Sequence, residues 1–400
     1  RLGDVAEVVG GATPSRTKSE YWGGDIPWVV PSELTNLPGR YLRTTRESIT
    51  EIGRKAAGLR VIPPGSVLLT SRASIGSTAI TTIPVVTNQG FQNLVAKKGT
   101  QGLWLFYCVS AQQRELLRRA SGSTFREISR GSVRSLPIVI PPLPEQRAIA
   151  AVLDSIDEAI ERTEAVITAT EQLREAVREE LLTRGLPGWH FEWKRVPRFG
   201  NVPADWELVR LGDIAKAIYT GKTPPRHNAD LYGGCVPWVK PADLSNSRFV
   251  STSEEFLTEL GVSKAVLIPE NTVLVSCIGT IGNVAIAKTQ LCFNQQINAL
   301  IPSGRVHSSF LYWSLLSLRR YMQAIAAKTA VPILNKREFS QIPFYLPSLP
   351  EQEAIARTLD SIDDTIETSR MTRIALAKVK VSTAEALLTG QRRVPVEVGK

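Results

Sequence analysis

The sequence predicts an α/β (α+β) protein: two tandem globular domains separated by two long helices, the helices packed as an antiparallel coiled coil, the whole pseudo-two-fold symmetric. Three observations predict it. The first is repetition. Ile26-Pro27-Trp28-Val29 returns as Val236-Pro237-Trp238-Val239, Leu143-Pro144-Glu145-Gln146 returns as Leu349-Pro350-Glu351-Gln352, and Leu-Asp-Ser-Ile-Asp at 153–157 recurs unchanged at 359–363. A period this long marks a duplicated domain, because solenoid units run only about 20–50 residues. The second is a change of pattern after each copy, from short β-like runs among Gly, Pro and Ser/Thr to a long apolar stripe at helical spacing. The third is charge. Residues 1–141 hold 18 Lys+Arg against 9 Asp+Glu and residues 186–347 hold 17 against 11, whereas residues 142–185 hold 5 against 10.

In the first domain, 1–141, strands are expected at Val61-Ile62 with Val67-Leu68-Leu69, at Thr78-Ala79-Ile80 and over 136–140. A helix with a basic end is expected from Leu103 to Arg119. The second domain, 210–347, matches with Val273-Leu274-Val275, Val284-Ala285-Ile286, a helix from Phe310 to Arg320, and a strand over 342–346. Pro144 and Pro350 stand where a first helical turn tolerates proline, and Glu145 and Glu351 follow at the positive end of the helix dipole. The first helical region, 142–185, then carries Ile149, Leu153, Ile156, Ile160, Thr163, Ile167 and Thr170 at alternating steps of four and three, a coiled-coil seam. The second, 348–390, repeats Ile355, Leu359, Ile362 and Ile366 but puts Ser369 and Arg373 at the next seam positions. Helices of about 40 residues, roughly 60 Å long, cannot bury such a stripe alone, so they pair with each other or with another chain. Residues 186–209 form a linker whose aromatics (Trp189, Phe191, Trp193, Phe199, Trp206) argue for pinning to a surface, and 391–400 form a tail.

Composition narrows the function. With 43% hydrophobic residues in 400, the chain has core enough for both domains, and no run of 18 apolar residues suggests a membrane span. The four cysteines show no CxxC spacing and do not recur between copies, which points to a reducing cytoplasm without disulfides or zinc. Neither a Gly-x-Gly-x-x-Gly nor a P-loop nor a Gly-x-Ser-x-Gly elbow occurs, so the expectation is a non-catalytic protein with no cofactor of its own. Basic excess confined to two domains suggests a polyanion met at two places.

Five polar loops recur at matching places: 11–16 with 221–226 (each opening Gly-x-Thr-Pro), 23–28 with 233–238, 70–76 with 276–282, 88–90 with 294–296, and 123–134 with 329–337. Loops of Gly, Ser/Thr and Arg/Lys supply the short donors, close backbone and cations that nucleic acid contact requires. The candidate DNA-binding residues of the first copy are Arg16, Lys18, Ser71, Arg72, Ser74, Asn88, Gln89, Ser123, Thr124, Arg126, Arg130 and Arg134. Those of the second are Lys222, Arg226, Lys240, Thr280, Asn294, Gln295, Lys328, Thr329, Asn335, Lys336 and Arg337. Residues shared by both copies (Thr13 and Thr223, Gly76 and Gly282, Asn88 and Asn294, Gln89 and Gln295) shape loops or bind backbone, and Arg16 is expected to touch phosphate. Positions that differ, such as Arg72 against Ile278, Lys222 against Ala12 and Arg337 against Gly131, are candidates for base readout. Trp28 and Trp238 read as core anchors rather than base stackers.

These features together resemble the specificity subunit of type I restriction–modification systems. The resemblance rests on Pro141-Pro142-Leu143-Pro144-Glu145-Gln146 and Pro347-Ser348-Leu349-Pro350-Glu351-Gln352, the paired Leu-Asp-Ser-Ile-Asp motifs, the Arg-Leu-Gly-Asp openings at 1–4 and 210–213, and Gly-Leu-Pro-Gly at 185–188. It implies two target-recognition domains held apart by two long antiparallel helices. Each domain would read one half of a split DNA target, and the helical regions would dock two methyltransferase subunits that use S-adenosylmethionine. Restriction subunits would join the full complex. A two-domain DNA-binding regulator acting alone is the alternative, and the lack of a helix-turn-helix or zinc finger counts against it.

Overall fold

The computed structural model describes residues 1–122, 126–196, 200–244, 247–327 and 332–395. It divides into two compact units, Arg1–Val166 with Ser369–Lys400, and Ile167–Thr368. Each long helix therefore belongs partly to each unit, a division that cuts across the sequence boundaries at 141/142 and 347/348. Among the described residues no helix is long and apolar enough to cross a membrane.

The first unit is built on a five-stranded sheet ordered Ala6–Gly10, Gln92–Ala96, Val67–Leu69, Thr78–Thr81, Tyr41–Leu42. Neighbours are antiparallel except the last pair, where Tyr41 meets Ile80 in parallel. Successive side chains of a strand point to opposite faces, and both faces here are apolar. Val67 and Leu69 enter the cluster beneath the helix Gly102–Ser110, while Leu68 enters the opposite one with Leu42 and Phe91. The second unit repeats the order with Ala215–Thr220, Ile297–Pro302, Val273–Ser276, Val284–Ala287 and Phe249–Val250, and again Val273 and Val275 face one cluster and Leu274 the other. A smaller sheet beside each carries the repeated tryptophan: Trp28 pairs in parallel with Val86, and Trp238 with Cys292. Both indoles are buried, as core anchors should be.

Four expectations change, the first being the helix over 310–320, which is two helices, Ser308–Ser317 and Arg319–Ala326. The helix over 103–119 is two helices, Gly102–Ser110 and Gln113–Arg119. Trp104 to Val109 are all buried, whereas Arg118 and its neighbours need solvent, so the chain turns between them. Val61 lies outside any strand, and Ile62 makes only an isolated bridge to Val85. Residues 136–140 form no strand, although their counterpart Pro343–Leu346 does by pairing with Glu207–Arg210. No described strand pairs with 136–140, and Val139 and Ile140 are exposed.

The long helices run over Leu143–Arg184, here the medial helix, and Leu349–Leu388, the C-terminal helix. Their seams serve two purposes. Ile149 and Leu153 are buried in the core of the first domain, and Ile355 and Leu359 in that of the second. Ile156, Ile160 and Ile362 are half-buried, while Ile167 and Ile366 are buried. Within the first unit Lys380 pairs with Asp157 (2.6 Å) and Arg373 with Glu164 (3.0 Å), so the partners descend one helix as they climb the other. That order is antiparallel. In the second unit Arg174 pairs with Asp363 in the same sense. The helix ends also reach cores: Ala384, Leu387 and Leu388 pack into the first unit, and Leu181 into the second. Of the linker aromatics, Trp206 is buried, whereas Trp189, Phe191 and Trp193 are exposed and Phe199 lies outside the described residues. Pinning therefore acts at one tryptophan.

The repeated motifs at the helix starts are clamps. The side-chain oxygen of Gln146 accepts the Gln101 N–H (2.9 Å) and its amide donates to Pro141 O (2.9 Å); Gln352 does the same with His307 (2.9 Å) and Pro347 (2.9 Å). The aspartates of Leu-Asp-Ser-Ile-Asp receive a buried arginine. Arg40 donates to Asp154 (2.8 Å) and Glu161 (2.7 Å), while Arg248 donates to Asp360 (2.8 Å) and Asp364 (2.6 Å). Aromatic donors complete each cluster, Tyr107 to Asp157 (2.9 Å) and Trp313 to Asp360 (2.8 Å). Removing one partner of a buried pair strands the other charge at a cost of about 3–5 kcal/mol, less where water reaches it. Asp154 keeps some solvent access, so Arg40→Met should lower the unfolding free energy by roughly 2–3 kcal/mol in urea melts, and Asp154→Asn in the same chain should restore part of it.

Candidate nucleic acid interface

The described parts of the five recurring loops meet at one rim in each unit, joined by backbone and side-chain hydrogen bonds. Ala12 donates its N–H to Thr87 O (2.9 Å), the Thr13 hydroxyl bonds Gln89, and the Trp28 indole donates to Ala12 O (3.2 Å). Ser71 N–H reaches Gly90 O (2.7 Å) and Ile128 N–H reaches Ser71 O (3.0 Å). The second unit repeats each step: Lys222 to Phe293 O (2.9 Å), Thr223 to Gln295, Trp238 to Lys222 O (3.2 Å), Cys277 to Gln296 O (2.7 Å), Leu334 to Cys277 O (2.9 Å). Asn88 and Asn294 accept the N–H two residues on (2.9 and 3.0 Å), the Asx turn that shapes the fourth loop. Gly11 and Gly221 have no room for a Cβ, which would run into the carbonyls of Asn88 and Asn294 respectively. These shared residues frame the rim.

Several candidate cations hold loops in place. The Arg16 guanidinium lies 3.7 Å from the centre of the Trp22 ring and 5.0 Å from that of Trp28, and pairs with both carboxylate oxygens of Glu47 (2.5 and 2.8 Å). Arg226 repeats the box with Tyr232, Trp238 and Glu255. Hydrogen bonds from these arginines hold the Glu47 and Glu255 carboxyls below the usual carboxylate range. Lys240 shares Glu255 (2.8 Å), and Lys18 donates to the Tyr21 hydroxyl (3.1 Å). Arg16, expected as a phosphate contact, is thus already neutralised in the free chain. Asn335 likewise caps the helix Lys336–Ser340, accepting the Glu338 N–H (2.9 Å), as Ser129 caps Arg130–Arg134.

Other candidates face solvent. Arg126, Arg130, Arg134, Lys222 and Arg337 are exposed, and their side chains have no hydrogen-bonded or ion-paired partner among the described residues. Arg130 lies over Gly10, where a Cβ would come within 3.2 Å of its Nη2. Lys336 stacks loosely over Tyr219 at 6.0 Å. In the third loop Arg72 pairs with Glu127 (2.9 Å), Thr280 is exposed, and the buried Ser71 and Ser74 hydroxyls have no hydrogen-bond partner among the described residues. Ser123, Thr124, Lys328 and Thr329 lie outside the described residues.

Sequence reasoning missed Glu47, Glu255, Arg40 and Arg248. The copy offset falls from 210 at Trp28 and Trp238 to 208 at Arg40 and Arg248, and to 206 at Val67 and Val273. The missed residues occupy the short stretch of intermediate offset. Pairing of Tyr41 with Ile80 and of Phe249 with Ile286 reveals that register.

The family model for the type I restriction modification DNA specificity domain matches residues 1–171 and 203–378. The chain belongs to the type I restriction–modification specificity family. It is 28% identical over 414 residues to the type I restriction enzyme MjaIX specificity subunit of Methanocaldococcus jannaschii, covering 98% of this chain and 93% of that one. The HindI specificity subunit of Haemophilus influenzae is 33% identical over 183 residues, 43% of this chain and 40% of its own. The S subunit from M. genitalium has the same fold, with a TM-score of 0.62 at 15% identity over 97% of this chain and 94% of that one. A chain from a structure on assembly and conformational transition of the type I R-M system gives 0.59 at 19% identity, over 98% and 97%. As a specificity subunit the chain recognises DNA sequence and is not itself catalytic.

One difference between the rims is of residue type at a shared left-handed position. Ala73 holds a left-handed φ of 56°, and its counterpart Gly279 one of 75°. A Cβ costs about 1–2 kcal/mol there, whereas glycine returns roughly 0.5–1 kcal/mol through the unfolded chain. Gly279→Ala, with open space around it, should therefore lower the unfolding free energy by up to about 1 kcal/mol, and Ala73→Gly should raise it by a similar amount in denaturant melts.

Proposed function

We propose that the chain reads a bipartite, asymmetric DNA target, one half-site per unit, and docks two adenine methyltransferase subunits and, through that complex, restriction subunits. The observation that carries this reading is the twin rim, one hydrogen-bonded frame presenting different side chains in the two units. A shared frame places backbone and phosphate contacts alike, while the differing side chains meet base edges. Arg126 and Arg130 supply exposed cations for phosphate, while Arg134, Lys222 and Arg337, each unlike its counterpart in the other copy, stand exposed for base edges. The long helices expose Val152, Met371, Ile374, Val379 and Val381 in the first unit and Leu173 in the second, apolar surface that suits a protein partner. S-adenosylmethionine belongs, on this reading, to the methyltransferase partners.

Co-expression with the methyltransferase subunit should give a complex of two methyltransferases per chain by native mass spectrometry; a chain that stays alone overturns the reading. Methylated adenines in cells carrying the complex should fall in one split, asymmetric motif. Arg130→Ala should weaken binding to all sequences alike, and the slope of log affinity against log salt should shrink by roughly 0.9, the value for one lost phosphate contact.

A further inference from the structure

We propose that one cross-strand pair at each rim sets a base preference: Arg72 with Glu127 selects a G·C pair in the half-site of the first unit, and Ile278 with Ile333 selects an A·T pair in that of the second. The proposal rests on the bipartite reading above and adds to it the chemistry of one base pair in each half. The two places are structurally the same. Arg72 bridges Glu127 and Ile278 bridges Ile333, both antiparallel. The flanking bonds, Ile128 N–H to Ser71 O (3.0 Å) and Leu334 N–H to Cys277 O (2.9 Å), match, and Ile128 and Leu334 are both buried as anchors. With the backbone held alike, only side-chain chemistry distinguishes the two rims here.

That chemistry is complementary to opposite base pairs. Guanine offers two acceptors in the major groove and its cytosine partner offers an amino donor, which suits one guanidinium and one carboxylate side by side. An A·T pair offers the thymine methyl, which suits an aliphatic surface. Both pairs are reachable: the Arg72 and Glu127 side chains are 47% and 38% exposed, Ile333 is 39% exposed, and Ile278 is partly so. The ion pair itself is easily exchanged. A surface pair at this exposure contributes at most about five-fold to an equilibrium, whereas a bidentate arginine discriminates guanine by roughly 5- to 100-fold. Arg72 therefore gains by turning part of its guanidinium to the base, while Glu127 keeps it oriented. The Arg72 site also differs from Arg16, whose guanidinium lies against two indoles as well as pairing with a carboxylate.

The test uses the full chain assembled with its methyltransferase subunits, with methylated adenines mapped in cells and affinity measured on duplexes carrying each base at each motif position. In the double variant Arg72→Ile and Glu127→Ile, one base pair of one half-site should change from G·C to A·T preference, affinity for the original site should fall roughly 5- to 100-fold, and the other half-site and non-specific affinity should stay unchanged. Ile278→Arg with Ile333→Glu should make the reciprocal change in the other half. Arg72→Lys, which keeps the charge and loses the fork, should relax that one position without altering non-specific binding. A wild-type motif retained in the double variant at unchanged affinity overturns the pair assignment and leaves the bipartite reading standing. A wild type with no split motif, or a variant that alters both halves together, removes the bipartite reading and the pair assignment with it.

Discussion

Two buried guanidiniums, Arg40 and Arg248, join each recognition domain to the helix that follows it, and the placing of each domain on its helix depends on that joint. Each arginine lies nearly out of water among carboxylates of one helix turn and the next. A buried charge is tolerated only with geometry this complete, because desolvation costs more than a partial pairing returns. The outcome is a domain that cannot slide along its helix: a shift of one residue would turn the aspartates away. Gln146 and Gln352 hold the helix starts by bonding backbone that otherwise lacks partners.

The same economy of function governs the rims. Residues that recur in both units frame the loops through threonine–glutamine, tryptophan–carbonyl and arginine–aromatic contacts. Where residues differ, as at Ala12 and Lys222 or Ser71 and Cys277, the backbone bonds of the frame are kept and only the side chains change. The two units keep their backbone constraints constant and vary the side chains that project from them. The side chains of the exposed cations Arg126, Arg130, Arg134, Lys222 and Arg337 take no part in the loop bonds among the described residues, so they can change without disturbing the strands beneath.

The duplication, the two long helices and their starting motifs were legible because they depend on local pattern: an apolar stripe at steps of three and four, a proline at the first turn, a repeated word. The tryptophan anchors were legible for the same reason. The arginine clamp was not, because its partners are 114 residues apart in sequence and the copies change length between Trp28 and Val67. Nor was the pairing of Arg16. A guanidinium beside Gly-x-Thr-Pro looks free until the fold brings Trp22 and Glu47 around it. Residues 136–140 misled in the other direction, since β-propensity is realised only when a partner strand exists.

By itself, then, the sequence determined that this is a duplicated, basic, two-domain protein with helical segments between and after the domains, and its motifs carried the family. Those properties are periodic or compositional, and each residue contributes to them regardless of distant neighbours. Tertiary structure decided which aspartates receive a buried arginine, which loop cations are neutralised and which remain available, and which cross-strand pairs stand at matching places in the two units. These are pairings between groups far apart along the chain, and only the closing of the sheet, with the loss of water from one side of each group, gives them a partner.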